Sequence, residues 1–260
     1  MNTIQMYDAQ ADSINVEDIK LFFDNNRVVL RRIQRNDPND KPQHLRIQNQ
    51  RDNDGEDCNI EYVPESAYDM GWLGCFVGRN NHLKELYIRY FNSASIEIIE
   101  SFFKGVRNNR SITRLDFCSC SMNLLDGKIF TIMGPFFENN NNLSRIIIND
   151  CDLEDDGWRL LALAIGSSKH KSLQDVSLTD CNISDEELVD IIDALRMHPN
   201  LTRFDIDGNC LNKDGCKALA ILLQHSTTQL NTLNLTNNEI DDEGMDILVP
   251  ALKNYRNFEA

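Results

Sequence analysis

Long apolar runs are missing from this chain. The densest, Leu160 to Ile165, stops at Gly166, far short of the roughly 18 to 20 residues that cross a bilayer as a helix. The first residues, Met1-Asn2-Thr3-Ile4-Gln5 onward, hold neither a cationic start nor an apolar core, so they do not read as a secretory signal. Glycine (12) and proline (6) are too sparse for a collagen-like or low-complexity chain. Positive charge is scarce as well: 26 Lys and Arg face 41 Asp and Glu, a net charge of −15. A polyphosphate partner would meet net repulsion in place of counterion release, which argues against nucleic acid and anionic membranes as partners. What is present, 41% hydrophobic and 26% charged residues over 260 positions, suits a folded domain with a core large enough to need no disulfide or metal.

Catalytic and metal signatures are also missing. There is no Walker-type G-x-x-x-x-G-K-Ser/Thr, no G-x-S-x-G and no G-x-G-x-x-G between strand and helix; Gly71, Gly74 and Gly78 have the wrong intervals. Cys118-x-Cys120 lacks the spacing and the second pair of a zinc site, and no His pair stands at i, i+4. The acidic stretch beginning at Asp52 places its glycine fourth and Val63 twelfth, so it does not fit a calcium loop. No catalytic residue, metal or cofactor is therefore expected.

Repetition is abundant. Seven segments stack on one pattern, starting at Leu83, Ile112, Leu143, Leu173, Leu201, Leu230 and Phe258, at separations of 29, 31, 30, 28, 29 and 28 residues. Positions 1, 4, 6 and usually 11 are apolar, and position 9 is Cys120, Cys151, Cys181, Asn209 and Asn238 in successive units. The second half of each unit changes period. Trp158, Leu161, Ala162, Ile165 and the corresponding sets from Leu188, Cys216 and Met245 fall at i, i+3, i+4, i+7, one buried helical face repeated. Ser184/Asp185, Asn212/Asp214 and Asp241/Asp242 precede those helices and suit their N-termini. A strand followed by a helix, repeated, forces parallel strands in a right-handed coil. Strands stack at about 4.8 Å and helices at about 8–10 Å, so the coil bends with strands inside.

The pattern resembles the leucine-rich repeat of the ribonuclease-inhibitor-like class, L-x-x-L-x-L-x-x-N/C-x-L in units of about 28 to 29 residues. The resemblance implies an α/β leucine-rich repeat solenoid, a horseshoe with parallel β-strands on the concave face and α-helices on the convex face. It covers residues 83–260 and implies an acidic cytosolic clamp for a basic protein. That family alternates two repeat types, whereas here three Cys-type units precede two Asn-type units, so nuclease inhibition does not carry over. Residues 1–82 fit less well and are expected to be an N-terminal capping region with one degenerate repeat. In it, Gln43 to Asn49 forms a strand, Arg27 to Gln34 its hairpin partner, Val16 to Phe23 a short helix capped by Ser13 or Asn15, and Asp69 to Gly78 a helix with Trp72, Cys75 and Phe76 inward.

Cys120, Cys151, Cys181, Cys210 and Cys216 sit at repeat positions that explain them as packing residues, which favours a reducing, intracellular setting: cytoplasmic, with the nucleus left open. Five N-x-Ser/Thr sequons, from Asn109 to Asn234, arise from the repeat grammar. Cys118 stands apart, outward at position 7 near Arg89 and Arg114, and is a candidate reactive thiol. His82, His170, His198 and His225 fall in loops near helix C-termini, where a positive charge is tolerated.

Strand alternation sends positions 2, 3, 5, 7 and 8 to the concave side. The candidate partner-binding residues are Lys84, Tyr87, Arg89, Tyr90, Arg114, Asp116 and Arg145, followed by Asp175, Asp205 and Asp207. Aromatic residues and arginine at the early end are the types enriched in binding hot spots. Residues 27–51 carry net +5 and residues 150–260 net −12, an asymmetry able to orient a partner. The expected role is a non-catalytic module, monomeric, holding a protein or peptide of basic character on the concave face. The alternatives are a GTPase-activating protein of the Ran GTPase-activating type, which shares this fold and acidity, or the repeat part of a larger receptor or ubiquitin-ligase adaptor.

Overall fold

The computed structural model describes residues 3–39, 43–48, 60–90, 96–120, 128–224 and 229–255. The acidic stretch at 52–57, His225 and the unit beginning at Phe258 lie outside them. The described residues form one parallel sheet of eight strands: β1 (His44–Gln48), β2 (Ile60–Tyr62), β3 (Glu85–Arg89), β4 (Arg114–Cys118), β5 (Arg145–Asn149), β6 (Asp175–Thr179), β7 (Arg203–Asp205) and β8 (Thr232–Asn234), in the order β2-β1-β3-β4-β5-β6-β7-β8. The helices are α1 (Thr3–Gln10), α2 (Asp24–Arg35), α3 (Ala67–Arg79), α4 (Ile96–Val106), α5 (Lys128–Ile132), α6 (Gly134–Asn139), α7 (Glu154–Gly166), α8 (Asp185–Leu195), α9 (Lys213–Gln224) and α10 (Asp242–Asn254).

From β3 onward the repeat register and the strand register coincide: Glu85, Arg114, Arg145, Asp175, Arg203 and Thr232 lie side by side. Positions 4 and 6, from Leu86 and Ile88 to Phe204 and Ile206, are buried, and one continuous apolar cluster joins them to the inner faces of the helices. The open solenoid expected from the repeat is therefore the fold, and its sheet leaves positions 3, 5 and 7 on the face away from the helices.

Three polar ladders hold the stack in register. At position 9, Asn209 donates through Nδ2 to Leu178 O (2.7 Å) and Ile206 O (3.1 Å) and accepts from the Cys181 and Ile183 N–H groups, stitching two units together. Cys181 donates more weakly from the same position to Ile148 O (3.4 Å) and Thr179 O (3.1 Å). Three residues before position 1, Asn109 donates to Val77 O (2.7 Å) and Asn80 O (2.9 Å) and accepts from Ser111 N and Ile112 N, which satisfies the end of α3 and the start of its own strand. Asn80 and Asn140 repeat the arrangement. At position 8 the backbone turns left-handed in six units running: Tyr90, Ser119, Asp150, Asp180, Gly208 and Asn237. Only Gly208 lacks a Cβ there, and one would meet Asp180 Oδ1 at 2.0 Å.

The helix starts follow the expected residues. Ser184 donates its N–H and hydroxyl to Glu187 at 2.8 Å, and Asp241 accepts from Gly244 N at 2.8 Å. At α9 the cap comes from the preceding repeat: Asp185 accepts from Asn212 N (2.9 Å) and Asp214 N (3.1 Å).

The N-terminal part departs from expectation in two elements. Arg27 to Gln34 is not a hairpin strand but the body of α2, because Asn26, Val29, Leu30 and Ile33 are the buried residues and fall at i, i+3, i+4 and i+7. The first of them is polar and disguises the period. Asn26 closes the outer edge of the sheet, donating to Val63 O (2.6 Å) and accepting from Val63 N (3.1 Å). The neighbour of β1 on that side is β2, in parallel pairing. The helix expected over Val16 to Phe23 is only one short turn, Val16–Asp18, capped by Asn15, which accepts from Glu17 N at 3.1 Å. The strand at β1 and the helix α3, with Trp72, Cys75 and Phe76 buried, lie where the sequence puts them.

Candidate protein-interaction surface

The early end of the sheet's open face is built around Tyr87. Its ring lies under two arginines, with Arg114 Cζ at 5.0 Å and Arg89 Cζ at 5.7 Å from the centroid, and faces His44 edge-on at 6.2 Å. Such stacking is favourable because the cations sit over the negative ring face. The Tyr87 hydroxyl donates to Glu85, and Arg114 bonds Asp116 at 2.5 Å. Burial, then the bond to Glu85, pushes the Tyr87 phenol up, so it stays protonated. Burial works to lower the Arg114 pKa, but the bond to Asp116 and the nearby negative charges outweigh it and the guanidinium is held charged.

The expected site residues thus separate by accessibility. Tyr87 (9% exposed), Asp116 (3%) and Asp205 (6%) are consumed by neighbouring contacts, which corrects the expectation that they offer themselves to a partner. Lys84, Arg89, Tyr90 and Arg114 are half-buried, with Lys84 Nζ reaching Ser111 O at 3.5 Å. Arg145 is exposed, and Asp175 and Asp207 are half-buried. Farther along, the acidic residues do not form a face of one sign. Arg145 pairs with Asp175 (3.0 Å), Arg203 approaches the same carboxylate (3.7 Å), and Arg203 bonds Asp205 (2.7 Å), a chain of alternating charge across β5, β6 and β7. Asn237 donates to Asp207 at 3.0 Å. Arg203 was the residue that sequence reasoning left out of the site. Its signal was available, since residues two apart on a strand share a face and Arg203 precedes Asp205 by two.

Cys118 is half-buried in this face. Burial raises its pKa, against lowering by Ser119 and Arg89, so the thiol is not activated as a nucleophile. Among the described residues no group of His, Cys, Asp and Glu is arranged to hold a metal ion, and no helix is long and apolar enough to cross a membrane. The histidine expectation fails at His198, which is fully buried and neutral: burial lowers its pKa to about 4.

The molecule is thus a stack of strand–helix units presenting a polar sheet face of mixed charge. A family model for the leucine-rich repeat matches residues 198–220 and 228–248. Similar curated proteins are the mouse "NACHT, LRR and PYD domains-containing protein 4C", 25% identical over 186 residues (69% of this chain, 18% of that one), and human protein 13 of the same designation, 31% identical over 94 residues (36% and 9%). Protein 5 of the same designation from Bos taurus is 29% identical over 146 residues (56% and 13%). The chain spans less than a fifth of the length of these three relatives. Among solved structures, an internalin from Listeria monocytogenes aligns over 76% of this chain and 51% of its own, with 14% identity and a TM-score of 0.37. The yeast Rad7 and Elc1 complex aligns over 96% and 67%, with 12% identity and a TM-score of 0.37. The chain carries leucine-rich repeats, which generally serve protein–protein interaction and are typically non-enzymatic.

Proposed function

We propose that this chain is a non-catalytic protein-binding module whose concave sheet face holds a protein or peptide segment. The observation that carries the reading is the charge chain Arg145–Asp175–Arg203, continuous across three strands, with both arginines exposed and the buried Asp205 holding Arg203 in place. A partner laid across the strands with complementary charges can exchange these pairs one for one, which gives specificity and register more than raw affinity. The aromatic–arginine cluster around Tyr87 serves as a rigid floor at the early end, with Arg89, Tyr90 and Arg114 at its rim as contact groups. The net charge of −15 favours a partner that is basic overall.

The test is affinity capture from cell extract with wild type and with an Arg145→Glu/Arg203→Glu variant. Both side chains are exposed at the surface, so circular dichroism is expected to show an unchanged fold. Loss of a partner that wild type retains supports the reading. Capture of the same partners in the same amounts by both proteins removes it.

A further inference from the structure

The convex side carries a second feature that the concave reading does not use. Between α7 and α8 runs an open groove of about 390 Å³, lined by Ala162, Leu163 and Gly166 on one side and Asp190, Asp193 and Ala194 on the other, with Arg159 and Ser167 at its ends. It exists because both helices face each other here through small residues: a Cβ on Gly166 would come no nearer than 3.9 Å to Ala194. Leu163 stands at its rim 59% exposed, although a leucine there could have turned into a filled interface. The opposite rim is acidic. Asp193 is shared with Arg196 at 3.1 Å, and Arg159 is held by Asp156 at 2.8 Å, which leaves Asp190 exposed to the groove.

We propose that this groove takes the apolar face of a basic amphipathic helix from a partner protein, with leucine-type side chains between Leu163 and Ala194 and a lysine or arginine on Asp190. The lining runs from Arg159 to Ser167 along α7 and from Asp190 to Ala194 along α8, about 6 to 12 Å of groove, room for one to two turns of a docked helix. Charge selects the occupant. Residues 150–260 carry net −12, so a second copy of this chain would bring like charge to an acidic rim, and an acidic helix would do the same. A basic flank is attracted at long range and paired at short range.

The test uses the full chain and a fluorescein-labelled peptide of about 18 residues, five helical turns, with leucines on one face and lysines elsewhere; a matched peptide has glutamate for lysine. Anisotropy titrations are expected to show binding of the Leu/Lys peptide only. Leu163→Ser and Asp190→Lys are each expected to weaken it about tenfold, while Asp246→Lys, the same charge change on α10, changes it less than about twofold. All three positions are exposed, so folding is unaffected. Equal losses at Asp190 and Asp246 would mean unspecific attraction to an acidic protein and would overturn the proposal. So would unchanged binding in Leu163→Ser, or loss of binding in Arg145→Glu/Arg203→Glu in its place, which moves the peptide to the concave face. Concentration-dependent dimers in sedimentation velocity that Leu163→Ser abolishes would assign the groove to a second copy and overturn it as well.

Discussion

His198 shows what one residue does to a ladder. It stands three residues before Leu201, the place that Asn80, Asn109 and Asn140 hold before Leu83, Ile112 and Leu143. The asparagines make two donor and two acceptor contacts each or nearly so; His198 makes one side-chain contact, Nε2 to Ile165 O at 3.2 Å, and leaves Nδ1 buried without a partner. Burial lowers its pKa from the ordinary 6.5 to about 4, against the opposing pull of the Ile165 carbonyl, and Lys171 adds a lesser lowering. The unfolded chain therefore binds a proton that the folded chain refuses. The stability associated with the neutral form is complete above about pH 6.5 and is lost as pH falls towards 4, a change of about 3 kcal/mol. In His198→Asn that contribution is absent. Urea unfolding at pH 7 and at pH 4 is expected to show the variant gaining about 3 kcal/mol on wild type at the lower pH; parallel curves would refute the assignment. The −3 ladder was legible in the sequence as Asn at the spacing of the repeat, but only Asn109 among them drew attention, as part of a sequon, and the histidines three residues before Leu173 and Leu201 hid its continuation.

At the scale of elements, repeats that match in hydrophobic period were readable to the register, because burial of alternate strand residues and of one helical stripe is what the pattern encodes; α10 is the exception, with the expected Met245 44% exposed and Gly244, Leu248 and Ala251 buried. The elements misread or missed are those whose signal is not hydrophobic. α2 opens its buried stripe with Asn26, and α1 docks with Tyr7 packed edge-on at 4.8 Å to Trp72 beside the partly buried Met6. In α3 the helix was legible but the reason for its glycines was not: their helix-breaking tendency is real, and their purpose is contact. A Cβ on Gly74 would meet Phe102 O at 2.2 Å, and one on Gly105 would meet Gly74 C at 2.2 Å, so the backbones of α3 and α4 touch. These glycines are needed because of the neighbouring helix, which no local reading reveals. Gly74→Ala is expected to destabilise by about 1–3 kcal/mol or more through overpacking, although alanine is the better helix former by about 1 kcal/mol. Gly134→Ala, in α6 with nothing within 4 Å, keeps only the propensity gain and is expected to be neutral or stabilising. Denaturant midpoints of the two variants moving in the same direction would contradict this packing.

For the whole molecule, the stack makes stability a sum of units and interfaces. Leu178, at position 6 of β6, is fully buried between two neighbours; its equivalent Leu235, following β8, is only partly covered, as are Leu233, Ile240, Ile247 and Leu252 in the same unit. The core thus thins from β6 to β8 while the charge chain on the open face spans β5 to β7, so the proposed binding surface rests on the best-packed repeats. Leu178→Ala is expected to cost about 2–5 kcal/mol as a buried truncation that leaves a cavity. Leu235→Ala removes the same atoms from a half-wet site and is expected to cost less than half as much. Ser177→Ala, one residue from Leu178 but on the opposite face, where its hydroxyl lies 3.0 Å from that of Thr179, is expected to change stability by about 0.5 kcal/mol or less. Amide exchange on the wild type adds a spatial check, with protection highest in β5 to β7 and falling in β8. Equal costs at positions 177 and 178 would deny the alternation on which the open face depends. Equal costs at 178 and 235 would mean that the last repeat is as closed as the middle of the stack.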